Sequence, residues 1–200
     1  VIGLLYIQFP GLSLWLSIII TAFVGLVMGL INGFIVTRFN VHSIIVTLGT
    51  LSLYRGLVFI VSGGRQIDRN DIPEHVVSFS QTSFFFSIPA ILLFSAIIVI
   101  ITHLVMRHSV IGREIYATGS NPVAAHLKGI NVTKVTLFCF GVCGMLAGIA
   151  GLFYASRFGY VNPGVTGVGI EFIVIAGVII GGTSITGGSG SVLGTFLGIL

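Results

Sequence analysis

Few residues in this 200-residue chain can do covalent or acid–base chemistry: five Asp/Glu, nine Lys/Arg, five His and two Cys. The only lysines are Lys128 and Lys134, and no Gly-Lys-Ser/Thr occurs, so the sequence carries no phosphate-cradling Walker loop. The glycines at 181–190 lie in an apolar stretch without lysine and make a poor substitute. His-Glu-x-x-His, Gly-x-Ser-x-Gly and clustered aspartates are absent as well, which leaves no hydrolase constellation. Cys139 and Cys143 stand at i, i+4 in an apolar run, with no second pair and no histidine at a zinc-like spacing. They read as buried small apolar side chains rather than metal ligands. Arg55 and Glu171 are ionisable groups in or beside long apolar runs. A charge at such a depth marks a functional position, or reaches out of the apolar layer along its own side chain. Glu171 can pair with a nearby arginine or line a mouth. His103 reads as a structural hydrogen-bond donor. Thr47, Thr50, Thr183, Ser184 and Thr186 add uncharged hydroxyls beside helix breaks. Such groups can hydrogen-bond a neutral polar solute, or only satisfy backbone freed at the break.

The most specific segment runs from Gly112 to Ile130 and contains a short helix with both ends written in the sequence. Asn121 is an N-cap, and Pro122 fits the first helical position, where its missing N–H is not needed. Val123 to Lys128 are mostly helix formers. Lys128 complements the C-terminal dipole, and Gly129 suits the left-handed position that ends a helix. Val123, Ala124 and Leu127 give the helix one apolar face, with Ala125 beside them. Two turns are not stable alone in water, so this helix must dock, either on its own domain or on a partner.

The elements that must position these residues are membrane spans. Hydrophobic residues are 55% of the chain, glycine supplies 28 residues, and charged residues are 7%. An ordinary soluble domain carries about 25% charged residues. A helix needs about 20 apolar residues to cross a bilayer. Stretches free of charge place spans at 12–37, 39–61, 84–106 (starting near Pro89) and 135–156. The tail of another lies at 1–9, before the Pro10-Gly11 break. Residues 170–200 are apolar but interrupted by Gly181-Gly182 and Gly187-Gly188-Ser189-Gly190, which predicts two segments meeting at a turn or a broken helix. The fold class is therefore all-α, a polytopic transmembrane bundle forming one domain over 1–200. Val1 and Leu200 both lie inside apolar runs, which predicts an internal piece of a longer polypeptide.

Loop charges orient the spans. Loop 63–83 holds Arg65, Asp68, Arg69, Asp71 and Glu74, two positive against three negative. Loop 107–134 holds Arg107, Arg113, Lys128 and Lys134 against Glu114, net +3. The positive-inside rule puts 107–134 in the cytoplasm and 63–83 outside. The scattered cations form no basic stripe for nucleic acid. Shifting the chain by 119 places lays Gly25, Gly29, Arg38 and Phe39 on Gly144, Gly148, Arg157 and Phe158. The two segments would cross in opposite directions, as an inverted repeat does. Gly25-x-x-x-Gly29-x-x-x-Gly33 and Gly144-x-x-x-Gly148 are also patterns that let helix backbones approach closely.

Gly112 to Ile130 resembles the cytoplasmic coupling loop of the membrane permeases of bacterial ABC importers for simple sugars, the ribose, xylose, arabinose and autoinducer-2 type. Phe39 to Gly64, with Ile45-Val46-Thr47-Leu48-Gly49-Thr50 and Tyr54-Arg55-Gly56, is similar to the central spans of that family. Ala147 to Arg157 resembles the helix after its coupling loop. Gly167 to Gly194, with Glu171 and Gly181-Gly182-Thr183-Ser184-Ile185-Thr186-Gly187-Gly188, resembles its Gly-rich segment. The resemblance implies a permease of the bacterial inner membrane, pairing with itself or a sister chain. A cytoplasmic ATP-binding subunit would hydrolyse ATP, and a periplasmic or lipoprotein substrate-binding protein would deliver a monosaccharide or similar small polyol-like solute. Asn121, Pro122, Val123, Ala124, Ala125, Leu127 and Gly129 would then form the ATPase-coupling element. Thr47, Thr50, Arg55, Glu171, Thr183 and Ser184 are candidates for the substrate pathway. No cofactor, metal or nucleic acid is implied, and membrane lipid surrounds the spans. The alternative is an ATP-independent channel or secondary carrier for a small neutral solute, which would have no need of a capped docking helix.

Overall fold

A computed structural model describes Gly3, Tyr6, Phe9 and residues 11–200 except 82 and 85–87. Most of the expected tail of a span at 1–9 lies outside the described residues. Among those described, four helices are long and apolar enough to cross a membrane: α1 (Leu14–Phe39), α2 (Ser43–Ser62), α4 (Ala90–His108) and α7 (Val132–Phe158). They match the spans expected from the sequence to within a few residues. Shorter helices are α3 (Glu74–Gln81), α5 (Val110–Ser120), α6 (Pro122–Leu127), α8 (Ile170–Ile180) and α9 (Val192–Ile199). Strand structure among the described residues amounts to an antiparallel pairing of Ser83–Phe84 with Ile88–Pro89 and the single bridge Ile67–Val161. The all-α, polytopic architecture expected from composition is the one observed.

The helices divide into two units, each drawn from two stretches of chain. The first comprises residues 1–91 and 137–166. Its frame is the antiparallel pair α1 and α7. Every side of α1 is apolar, so hydrophobicity cannot choose its inner face. Size does: the buried residues are Ser17, Thr21, Gly25, Gly29 and Gly33, one small-residue ridge at a four-residue spacing. Trp15, Ile19, Phe23 and Phe34 stay exposed on the other sides. In lipid, helices gain nothing by hiding apolar surface from each other, and attraction comes from close packing. A Cβ added to Gly25 would collide with the Gly144 carbonyl oxygen and stand 3.2 Å from Gly148 Cα. One on Gly144 would lie 2.9 Å from Gly29 Cα. The two glycine motifs singled out in the sequence thus pack on each other. The hydroxyls on this ridge cost little in lipid because they bond back to their own helix. Thr21 Oγ1 donates to the Ser17 carbonyl at 2.8 Å, and Ser17 Oγ to that of Ser13 at 3.0 Å. The Tyr54 hydroxyl of α2 lies 3.2 Å from both the Met28 carbonyl and Asn32 Oδ1 of α1.

The 63–83 segment, expected to be a polar loop, supplies most of this unit's apolar core. Ile67, Ile72, Val76 and Val77 cluster with Tyr6, Leu152 and Ala155. Ile67 and Val161 exchange backbone hydrogen bonds of 3.0 and 2.9 Å, and Ser156 Oγ donates to the Val76 carbonyl. The charged residues lie on the outside of this cap, with Arg65 and Asp71 3.1 Å apart. Loop composition hid the structure because charges and core residues interleave over so short a stretch.

The second unit comprises residues 92–136 and 167–200. It holds α4 from Leu92, α5, α6 and the first turn of α7, together with α8 and α9. The last two are the segments expected to meet at a turn, and they form a hairpin. A Cβ on Gly181 would stand 2.6 Å from the Gly194 carbonyl carbon and from Thr195 Cα, and one on Gly177 3.2 Å from Ile199 Cα.

Candidate functional site

The region from Ser109 to Ile130 is more structured than a loop with one helix in it. The Ser109 side chain accepts the Gly112 N–H at 3.0 Å and starts α5. Gly112 is buried there, and a Cβ on it would lie 2.7 Å from the Met106 carbonyl carbon, so α5 leaves α4 through a tight joint. Helix α5 went unread in the sequence. The signal present was Ser109 as a cap, followed by Ile111 and Ile115 at helical spacing.

One residue both ends α5 and begins α6. The Asn121 N–H donates to the Ala117 carbonyl at 3.1 Å, while its side-chain oxygen accepts the Ala124 N–H at 3.0 Å. Pro122 occupies the first turn. At the far end Gly129 is left-handed at φ 84°. The Gly129 N–H reaches the His126 carbonyl at 2.9 Å, and the Ile130 N–H reaches that of Ala125 at 3.1 Å. This paired closure is a Schellman cap, and the cap positions read from the sequence are those observed.

The apolar face is partitioned differently from the sequence reading. Ala125 is buried at 2% exposure, whereas Val123 is 70% and Leu127 82% exposed. Ala124 lies between these extremes. The side that holds α6 in place is thus Ala125, and the outward surface is carried by Val123 and Leu127. A short helix of this size would fray without its caps and the buried alanine.

The Gly-rich turn sits against the end of α5. The Tyr116 hydroxyl donates to the Gly190 carbonyl at 2.8 Å. A Cβ on Gly119 would stand 2.7 Å from Gly188 N, and one on Gly188 2.7 Å from Ser120 Cα. Gly187 and Gly188 have φ of 92° and 79°, a conformation that needs glycine. Within the turn, the Ser184 N–H donates to the Ser189 carbonyl at 3.0 Å. Thr183 and Thr195 hydroxyls lie 3.1 Å apart, and those of Ser184 and Thr186 2.8 Å apart.

The other candidates spread out along the helices. Thr47 and Thr50 on α2 donate to the carbonyls of Ile44 at 3.2 Å and Val46 at 3.0 Å, so both hydroxyls serve their own helix. Arg55 is half-buried on the same helix and has no ion pair among the described residues. Glu171 is half-buried in the first turn of α8, where a carboxylate complements the positive end of the helix dipole. No ion pair with an arginine appears there among the described residues. Cys143, expected as a buried small side chain, is exposed on α7, and Cys139 is partly so. No group of three potential metal ligands occurs among the described residues. The described residues thus present paired hydroxyls at the Gly-rich turn and a short capped helix with two exposed apolar side chains.

Orientation has a direct measurement. With Cys139 and Cys143 replaced by serine, a cysteine at Ser120 is expected to resist impermeant thiol reagents in intact cells, and one at Gln66 to react. Both positions are exposed on the chain. Labelling at Ser120 from outside would invert the topology.

The whole chain, residues 1–200, matches the family described as branched-chain amino acid transport system, permease component. It is similar to the autoinducer 2 import system permease protein LsrC of Yersinia enterocolitica, with 37% identity over 188 residues, 94% of this chain and 51% of that protein. The protein of the same description in Yersinia pseudotuberculosis is 36% identical over 94% of this chain and 52% of its own length, as is that of Yersinia pestis. The chain spans about half the length of these curated relatives. No solved structure matches it.

Proposed function

The chain belongs to the branched-chain amino acid transport system permease-component family, and from that premise we propose that it is the membrane-spanning part of an ATP-driven importer. It is a multi-pass protein of the inner membrane. Its cargo in this reading is a monosaccharide or similar small polyol-like solute, for which the names of the autoinducer 2 import relatives are the support. ATP hydrolysis falls to a separate cytoplasmic subunit, since this sequence has no nucleotide-binding loop. A second permease subunit and an external substrate-binding protein complete the assembly, with lipid around the spans.

The observation that carries the reading is α6. A helix of six residues capped at both ends, with Ala125 buried and Val123 and Leu127 exposed, gives a cytoplasmic subunit a small rigid apolar surface to press on in this reading. In this reading Asn121, Pro122 and Gly129 hold its shape. The hydroxyls of Thr47, Thr50, Thr183 and Ser184, with Arg55 and Glu171, are the candidates for meeting the solute. Neutral donors and acceptors suit a polyhydroxyl cargo that must bind and leave.

The test uses the full-length protein, purified in mild detergent with its ATPase subunit and placed in proteoliposomes with its binding protein. Uptake of labelled autoinducer 2 or a pentose that requires ATP is the expected result. Uptake that proceeds without ATP would make the protein a channel or carrier instead. ATP-dependent uptake of leucine but not of the sugars would move the cargo to amino acids.

A further inference from the structure

Helix α6 follows directly on α5, and the end of α5 is packed backbone to backbone on the Gly-rich turn. Between an exposed Leu127 and the turn there are only Asn121, which α5 and α6 share, and the last turn of α5. Beyond that, backbone meets backbone. A Cβ on Gly119 would stand 2.7 Å from Gly188 N, one on Gly187 2.8 Å from the Gly119 carbonyl oxygen, and one on Gly188 2.7 Å from Ser120 Cα. Side chains can change rotamer and absorb a push, whereas two apposed backbones cannot. Tyr116 adds a directional tie at the same place, its hydroxyl 2.8 Å from the Gly190 carbonyl.

On its far side the turn is joined to a hairpin that is equally stiff. Helices α8 and α9 touch through Gly181 and Gly194, whose added Cβ atoms would each collide with the other's backbone, and Thr183 and Thr195 bridge them at 3.1 Å. A displacement arriving at Gly188 therefore moves α8 and α9 together. That hairpin carries Glu171, Thr183 and Ser184.

We propose that Tyr116, Gly119 and Gly188 form the mechanical joint through which α6 moves the α8–α9 hairpin, and that they are positioning residues for transport. The proposal rests on the reading of α6 as the ATPase-coupling helix. Its signature is separation of hydrolysis from transport. A residue that only supports the fold would, when changed, lower both in step.

The experiment uses the complete assembly in proteoliposomes and measures ATP hydrolysis and substrate uptake on the same preparation. Tyr116→Phe removes one hydroxyl and keeps the ring. Gly119→Ala raises helix propensity in α5, so any loss comes from the contact and not from the helix. Both variants are expected to bind the ATPase in normal amounts and to keep hydrolysing ATP. Uptake should fall by about tenfold, in the range of ordinary coupling between sites. Gly151→Ala is the control, because its added methyl meets nothing within 4 Å. Unchanged uptake in both variants overturns the joint, and so does a parallel fall in hydrolysis and uptake. If instead the unaltered protein fails to bind an ATPase, the reading of α6 fails, and the joint fails with it. Should Gly119→Ala not assemble, Tyr116→Phe alone decides.

Discussion

Gly144→Val is expected to push α1 from α7 and to lower the thermal midpoint and folded yield markedly, while Gly151→Val, seven residues along the same helix, is expected to do almost nothing. The first side chain would collide with the Gly25 carbonyl oxygen and crowd Gly29 Cα at 2.9 Å, whereas the second meets open space. Overpacking a well-filled interface costs about 1–3 kcal/mol. Here the obstacle is main chain, which cannot change rotamer, so the upper end of that range applies. The open position should stay within about 0.5 kcal/mol, as surface changes do. Valine is a better helix former than glycine, so propensity cannot explain a loss at Gly144. The measurement is the thermal midpoint and monodisperse yield of both variants in detergent. Equal behaviour would mean that the glycine ridge is not what holds the pair.

On the proposal that α6 is the ATPase-coupling helix, Leu127→Glu and Val123→Glu are expected to leave the chain folded and to abolish binding of the ATPase subunit. Both positions are more than two-thirds exposed, at 82% and 70%, so a carboxylate there stays in water as long as the chain is alone. Once an apolar partner surface covers it, burying an unpaired charge costs several kcal/mol. A loss of about 3 kcal/mol weakens binding more than a hundredfold at 1.4 kcal/mol per decade. Ala125→Glu should fail differently. That side chain is 2% exposed, and a glutamate forced into the space would dislodge α6 and lower stability before any partner is involved. Pull-down of the ATPase, run beside the melting curve, separates the two failures. Retention of the ATPase and of transport by both exposed-site variants would remove α6 from the coupling role.

Much of this arrangement was legible in the sequence, for identifiable reasons. Spans declare themselves because charge is excluded from a bilayer over some twenty residues. Helix α6 was readable because Asn121, Pro122 and Gly129 act on adjacent backbone groups and need no tertiary context. Which way α6 faces was not readable. Ala124 and Ala125 are chemically identical, and only tertiary packing makes Ala125 the buried one. In α1 the apolar pattern carried no facing information at all, and the spacing of glycines carried it instead. The core of 63–83 escaped because its buried residues draw their partners from Tyr6 and from α7, far off in sequence. Helix α5 escaped because the charges of Arg113 and Glu114 make its stretch look like a solvated loop. The Tyr116–Gly190 bond spans 74 residues, a separation at which one sequence gives no pairing signal.

The double duty of Asn121 makes this stretch intolerant of changes in length. Loops ordinarily accept insertions at small thermodynamic cost, because closing a slightly longer loop is easy. Between Gly119 and Val123 there is no slack to lengthen. One residue inserted after Ser120 would have to serve as a second cap, or else rotate α6 by about 100° about its axis. Either way Ala125 would leave its seat, and Leu127 would point somewhere new while every original side chain remained present. A deletion would force Pro122 into the last turn of α5, where its ring and missing N–H break the helix. Related chains should therefore differ here by substitution and keep the spacing from Gly119 to Gly129 constant, much as a gear may be recut in another metal but not given an extra tooth.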